Sequence, residues 1–385
     1  MMRRTRTLCA AALAAAGLLA AFPAAAQVAV ESADLSPRQN PFNPWFVYRS
    51  VTVKDSLGAK TKYTQLSVPV SLKARLGQNL SVVMFGAFAR TEVQPDSAGA
   101  ASNSLSGLTD VRAKLFYHTG GTVISAGVSL PTGKHSLTSQ EDVLAAVAAT
   151  DVFGFRVRRL GEGFDTEVGV THALEAGQSG ALALGVAYLY KASYKPLEGS
   201  ESTYRPGSEL SASAGYDYSS PTTLLRLNAT GRIFTKDQAD GVPAFKQGAT
   251  VVLEERWVAR SAGRLSNDLS LVQVIKGSSD YYGGPGGAVL SGSAENGSSV
   301  GGAERLELEM SRGMRLALLA DGTFYGKNAT GFDSAHLLGF GGELALEPSS
   351  RALLRVMGKV LTGSADPGSV KLSGFDVGVS LRVLI

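Results

Sequence analysis

Few side chains in this chain are equipped for catalysis: four histidines (His118, His135, His172 and His336) and a single cysteine, Cys9. None stands in a catalytic spacing. No Gly-x-Ser-x-Gly elbow and no His-Glu-x-x-His pattern is present. Gly283-Gly-Pro-Gly-Gly287 lacks the Gly-Lys-Ser/Thr ending of a phosphate loop. A Ser–His pair brought together by folding would be recognised only by geometry, so the residue types point away from an enzyme. Cys9 falls in a segment expected to be removed, which leaves no thiolate or disulfide in the remaining chain. No metal and no cofactor is expected.

The chemistry that is present is electrostatic. Lys73, Arg75, Arg112, Lys114, Arg226, Arg232, Arg305, Arg355 and Arg382 sit in segments where every second residue is apolar, as do Asp110, Glu167, Glu307, Glu309, Glu343 and Asp376. Successive side chains of a strand point to opposite faces, so these charges share the face opposite the apolar one. Ionised side chains are seldom buried unless paired, and a mixed-sign set of this kind suits a hydrated interior. Two readings stay open. The charges pair across neighbouring strands and fill the interior, or opposed rows of them select solutes as charged pore rings do.

The elements that must position these residues are strands. In the last eleven residues, Phe375, Val377, Val379, Leu381, Val383 and Ile385 alternate with mostly small or charged residues. The same pattern recurs along the chain. Short connections such as Thr119-Gly-Gly121, Ser219-Ser-Pro-Thr222 and Ser311-Arg-Gly-Met314 carry tight-turn residues. They interleave strictly with mostly longer, polar ones, including 94–106, 131–162, 192–207 and 276–301. Short periplasmic turns alternating with long extracellular loops characterise outer-membrane barrels. The expected fold is all-β, a transmembrane antiparallel up-and-down barrel of about sixteen strands, with about fourteen as the alternative count.

Export fits this fold. Arg3, Arg4 and Arg6 precede an apolar run over 8–21 and the small residues Ala24-Ala25-Ala26, which is the build of a signal peptide. Removing those three arginines reduces the formal charge of +4 to +1, so the basic balance gives no support for nucleic acid as a partner. No later run of about eighteen apolar residues predicts a membrane helix. The expected organisation is 1–26 signal peptide, 27–43 periplasmic segment or plug, and 44–385 barrel.

The faces can be assigned. Leu66, Val68, Val70 and Leu72 face lipid, as do Leu182, Leu184, Val186, Tyr188 and Tyr190; tyrosines at strand ends suit an aromatic girdle. Glu254-Glu255-Arg256 fits worst, because it places charge on both faces, and a bulge or an end outside the hydrocarbon would account for it. A barrel of this size is wide enough for an aqueous channel unless something fills it. The segments expected as fillers are 27–44 and 276–301. Residues 142–149 form the one helix-like stretch, expected on the barrel rim. Phe116 is nearly alone as an inward aromatic residue.

One region carries more specific motifs. Gly107-Leu-Thr-Asp110 begins a strand; Leu130-Pro-Thr-Gly133 ends the next; Leu160-Gly-Glu-Gly163 follows. This series resembles the outer-membrane proteins of the meta-cleavage pathway of phenol degradation, clearest over roughly residues 105–190. The resemblance implies a transporter-like barrel for hydrophobic or aromatic compounds. Physically, Pro131 cannot donate to a ladder and Gly133 permits a turn, so Leu-Pro-Thr-Gly reads as a strand exit.

The expected function is passive passage of small molecules across the cell outer membrane. The expected partners are outer-membrane lipid, lipopolysaccharide, a small-molecule solute, and the barrel assembly machinery through the C-terminal strand. The alternative is a non-conducting structural or surface-binding barrel with a plugged lumen.

Overall fold

A computed structural model of the protein describes residues 41–96, 102–261, 264–283, 288–294, 297–327, 334–366 and 368–384. Residues 1–40, which include the expected signal peptide and residues 27–40, lie outside this set. The principal sheet contains 17 hydrogen-bonded segments, and Asn103–Leu108 and Val111–Thr119 both pair with Leu80–Pro95. They are two halves of one strand interrupted at Thr109-Asp110, and the sheet is a 16-stranded antiparallel barrel. Pro41–Lys54 closes it by pairing with both Lys60–Arg75 and Val370–Leu384. Closure leaves no strand edge, as any sheet in hydrocarbon requires.

Alternation sets the two faces. On Val370–Leu384, Phe375, Val377, Val379 and Leu381 are exposed outward, while Asp376 and Ser380 are buried inward. Leu182, Leu184, Val186, Tyr188 and Tyr190 form an outward row on Gly180–Lys191. The strand Thr250–Arg260 pairs without a register shift on either side. The bulge envisaged there is absent. Instead Glu254 and Arg256 point inward, and Glu255 points outward between Leu227 and Leu271.

Among the described residues the first strand is already under way at Pro41, ahead of residue 44, and Pro41–Pro44 pairs in the wall rather than entering the lumen. Of the other expected filler, Ser279–Gly283 and Ala288–Ala294 join Tyr204–Arg205, Asp237–Ala239 and Val242–Lys246 in a second, five-stranded sheet. This sheet is built from three of the long connections, on the extracellular side by the short-turn rule.

What enters the barrel is the connection 131–163. Its helix α1, Ser139–Ala149, starts at a capping box: Thr138 accepts from the Glu141 N–H, and the Glu141 carboxylate accepts from the Thr138 N–H. Leu144 and Ala148 of α1 are buried, with Leu144 clustered with the inward residues Ala87, Ala89 and Leu105 of the wall. The helix thus packs against the inner wall instead of resting on the rim. After α1, Val152, Phe153 and Phe155 pack against Val51, Ala335, Leu337, Leu361, Ala365 and Leu372. Phe153 also stacks on Tyr63, with ring centroids 4.7 Å apart. Each such buried apolar side chain contributes roughly 1.5–3 kcal/mol. The interior therefore holds Trp45, Tyr63, Phe153, Phe155 and Tyr325 besides Phe116, more aromatic residues than the sequence suggested. Phe153 and Phe155 escaped notice because they belong to no alternating segment.

Candidate functional site: the lumen and its inserted lariat

Residues 131–163 form a lariat, and its neck is tied by one carboxylate. Asp110 Oδ1 accepts from the Gly133 N–H (2.9 Å), and Oδ2 accepts from the N–H groups of Glu162 (2.7 Å) and Gly163 (3.1 Å). The Asp110 N–H donates to the Leu160 carbonyl at 3.0 Å. A Cβ at Gly133 would overlap that Leu160 carbonyl, and Gly163 has a φ of +93°, in the left-handed region glycine tolerates. The three sequence motifs therefore meet in one knot: Asp110 from the first, Gly133 from the second, and Leu160 to Gly163 from the third. The strand breaks at Thr109-Asp110 because Asp110 serves the knot rather than the neighbouring strand. A residue expected to line the lumen is instead buried in the attachment of the lariat.

From the neck the chain crosses the barrel. Tyr325 donates its hydroxyl to the Asp151 carbonyl (2.8 Å), and Lys276 Nζ lies 3.1 Å from Asp151 Oδ2. Arg158 also pairs with Asp151. Returning, Arg49 donates to the carbonyls of Phe153 and Gly154 and to Asp376 Oδ2 at 2.7 Å. Gln65 makes both bonds of a strand-like pair with Val157: its Nε2 donates to the carbonyl (2.7 Å), and its Oε1 accepts from the N–H (3.0 Å). The Arg156 guanidinium lies 4.2 Å from the centre of the Trp45 ring, well down the first strand. At the neck, Glu162 is held by Arg159 and by Lys191 at 3.3 Å. Burial raises the Glu162 pKa, but the Lys191 and Arg159 cations outweigh it and bring the value to about 2.

The other lumen candidates divide by wall. Arg305 pairs with Glu307 (2.5 Å) and Glu343 (2.8 Å), and Arg355 lies 3.7 Å from Glu343. Arg315 joins this row through Glu307 at 3.6 Å, and Glu309 stands opposite Arg315 in the register. Asp376 bonds Arg49, and Lys359 connects it to Asp321, at 2.6 Å from Lys359 Nζ. On the facing wall Lys114 pairs with Glu167 (2.5 Å), Arg226 with Asp217 (3.1 Å) and Arg232 with Glu209 (3.4 Å). Arg256 pairs with Asp268 (2.5 Å). Lys73 and Arg75 lie towards the periplasmic end beside His118, and Arg382 lies at the same end of the last strand. Arg112 stands level with Asp165 across Ser129. Pairing within the wall thus accounts for most of these charges. Arg49, Lys191, Asp217, Asp268 and Asp321 were missing from the sequence candidates; each holds the inward phase of its strand, which would have found them.

The histidines do not converge. His118 has the cations Lys73 and Arg75 as its charged neighbours, His172 bonds Thr122 (2.8 Å), and His336 stacks on Phe324.

The lariat fills the barrel unevenly. Inward residues of the first strand and the last two (Val47, Arg49, Val51, Leu361, Leu372 and Asp376) are buried. Those of the opposite wall, including Thr171, Gly185, Ser211, Ser213, Asn228, Val252, Glu254 and Ser270, stay partly open to water. On the same strands Ala181, Ala183, Asp217, Arg226, Thr230, Arg232 and Thr250 are buried, so the inner surface left uncovered from Asp165–Ala176 to Leu265–Lys276 is partial.

No protein-family model and no curated protein matches this chain. Among solved structures, it is similar to Pseudomonas aeruginosa OccK2 (OpdF), at 11% identity over 90% of this chain and 98% of that one, with a TM-score of 0.46. It is similar also to Pseudomonas aeruginosa OccK7 (OpdD), at 11% identity over 90% and 100% of the chains, TM-score 0.41. A third is the COG4313 outer membrane channel from Pseudomonas putida F1, at 10% identity over 91% and 97%, TM-score 0.37. These likenesses concern the barrel fold alone.

Proposed function

We propose that the protein is a channel of the bacterial outer membrane through which small polar solutes pass passively. The observation that carries this reading is the uneven filling of the barrel: one inner wall is covered by the lariat, while on the facing wall small polar inward residues such as Thr171, Ser211, Ser213, Asn228 and Ser270 are only partly covered. The outward apolar rows suit a lipid and lipopolysaccharide surround, and the alternating last strand suits recognition by the assembly machinery. A hydrophobic or aromatic cargo, as the family resemblance implies, has less support. The inner aromatics Tyr63, Phe153 and Phe155 already pack against one another or into the lariat cluster.

The test is conductance of the refolded chain in a planar bilayer, with folding checked by heat-modifiable gel mobility. Steady ohmic current supports the channel. A folded but silent barrel would move the assignment to the closed structural or surface-binding alternative.

A further inference from the structure

The outward face of the first two and last two strands changes character at one level. On Val370–Leu384 the outward residues Phe375, Val377, Val379 and Leu381 are apolar, and Ser373 and Lys371 follow them towards the extracellular end. The same succession runs on the neighbours. Phe46 and Tyr48 give way to Ser50, Thr52 and Lys54, Leu66 to Thr64, Lys62 and Lys60, and Val360 to Thr362 and Ser364. A membrane strand needs about 9–11 residues to cross, whereas these four have 14 to 16. The extra length lifts their hydroxyls and lysines out of hydrocarbon, to the level of the lipid head groups.

The lysines stand where sheet energetics disfavours them. Lys54 is directly opposite Lys60 on one side and Lys371 on the other. Such partners have Cβ atoms only about 4.5–5.5 Å apart, and like charges there destabilise the pair. All three lysines are exposed, and among the described residues none has a carboxylate within ion-pair distance. Acids of the same rim bring its overall charge close to neutral, but they stand elsewhere. Asp55 turns into its own hairpin, where Oδ1 accepts from the N–H groups of Leu57 and Ala59, each at 2.9 Å. Asp366 belongs to the turn 366–369, Asp96 lies beyond the end of Leu80–Pro95, and Glu92 pairs with Arg90 at 2.5 Å. Lys54, Lys60 and Lys371 line a groove of about 500 Å³ together with the hydroxyls of Thr52, Thr362 and Ser373, and no acid lines it.

We infer that this groove binds the phosphorylated sugar head group of an outer-leaflet lipopolysaccharide. A phosphate between the lysines supplies the counter-charge that the sheet leaves out; a lysine ammonium binds phosphate as a point charge. The hydroxyls, each donor and acceptor, suit the phosphate oxygens and the sugar. The acyl chains continue down the apolar rows that begin at Phe375, Val360 and Leu66. That continuity with the hydrocarbon face favours a lipid over a free anion. The inference rests on the outer-membrane placement proposed above and not on conduction.

The experiment titrates purified lipopolysaccharide into the full chain refolded in zwitterionic detergent, reading the thermal midpoint of its heat-modifiable gel mobility. Native protein is compared with Lys60→Gln and with the triple variant Lys54→Gln, Lys60→Gln, Lys371→Gln. Phosphorylated lipopolysaccharide is expected to raise the native midpoint, and the dephosphorylated form to raise it less. The triple variant is expected to need roughly tenfold more of the phosphorylated form for the same rise. Without lipid, its midpoint should match or exceed the native one, because the opposed charges are gone. Equal native responses to the two forms would overturn the inference, as would an undiminished response in the triple variant. A full rise from inorganic phosphate alone would overturn it in favour of a free-anion site. Should the triple variant fail to fold, Lys60→Gln carries the same comparison with a smaller expected loss. Conductance is read separately: a silent barrel that still discriminates the two lipids would remove the channel reading and keep this site.

Discussion

Replacing Asp110 by alanine should release the lariat without unfolding the barrel. Its carboxylate receives three backbone N–H groups at 2.7 to 3.1 Å in a buried neck. Hydrogen bonds to a charged group contribute roughly 1.5–3 kcal/mol each, and an orphaned buried donor costs about 1–3 kcal/mol. The three act as a unit and water can enter the space left, so the expected cost to the closed neck is about 3–6 kcal/mol rather than the full sum. The wall has its own complete ladder of strand pairs, so this loss should fall on the lariat. Two measurements decide the matter. Single-channel recording is expected to show larger, noisier conductance, and limited proteolysis should cut within 131–163 while gel mobility stays that of a folded barrel. Asp110→Asn is expected to behave similarly but less severely, because its amide oxygen can still accept while its NH2 group opposes a donor. A folded alanine variant with native conductance and native protease resistance would refute the knot as the device that holds the lariat.

Arg49→Met leaves the fully buried Asp376 with only Lys359, 3.9 Å away; removing one partner of a buried pair costs about 3–5 kcal/mol. A lowered thermal midpoint is expected, with most of it recovered in Arg49→Met combined with Asp376→Asn; failure of the double variant to recover would sink this account. The Glu162 pKa lies near 2 in the folded neck against an ordinary 4.5. A depressed carboxylate contributes fully above about pH 4.5, and that contribution fades until it is lost near pH 2. Conductance noise should therefore rise on acidification through that window in the native channel, and Glu162→Gln should show this noise at neutral pH. Glu255 faces outward between Leu227 and Leu271, where an ionised side chain near mid-bilayer is costly. Glu255→Leu should raise resistance to denaturant unfolding in lipid by about 1 kcal/mol, and an unchanged or lowered midpoint would show that the site is not in hydrocarbon.

The amino-acid order by itself determined the wall. A strand's side chains alternate with period two whatever lies beyond it, so Leu66 and Val377 are placed outward and Lys114 and Asp376 inward without knowledge of any partner. The strict succession of short and long connections likewise gave antiparallel closure and a count of about sixteen strands. The interior was decided elsewhere. Residues 150–163 have no period, and their positions come from contacts across great sequence distances: Arg49 with Gly154 at a separation of 105 residues, Gln65 with Val157 at 92. The Gly-x-x-Asp, Leu-Pro-Thr-Gly and Leu-Gly-x-Gly motifs were visible as words, but their joint meaning required Asp110 to meet Gly133 and Gly163 in space. Local sequence fixes which way a strand residue points. Only the closed barrel, by bringing distant inner faces around one segment, decides what those residues enclose and which charges meet.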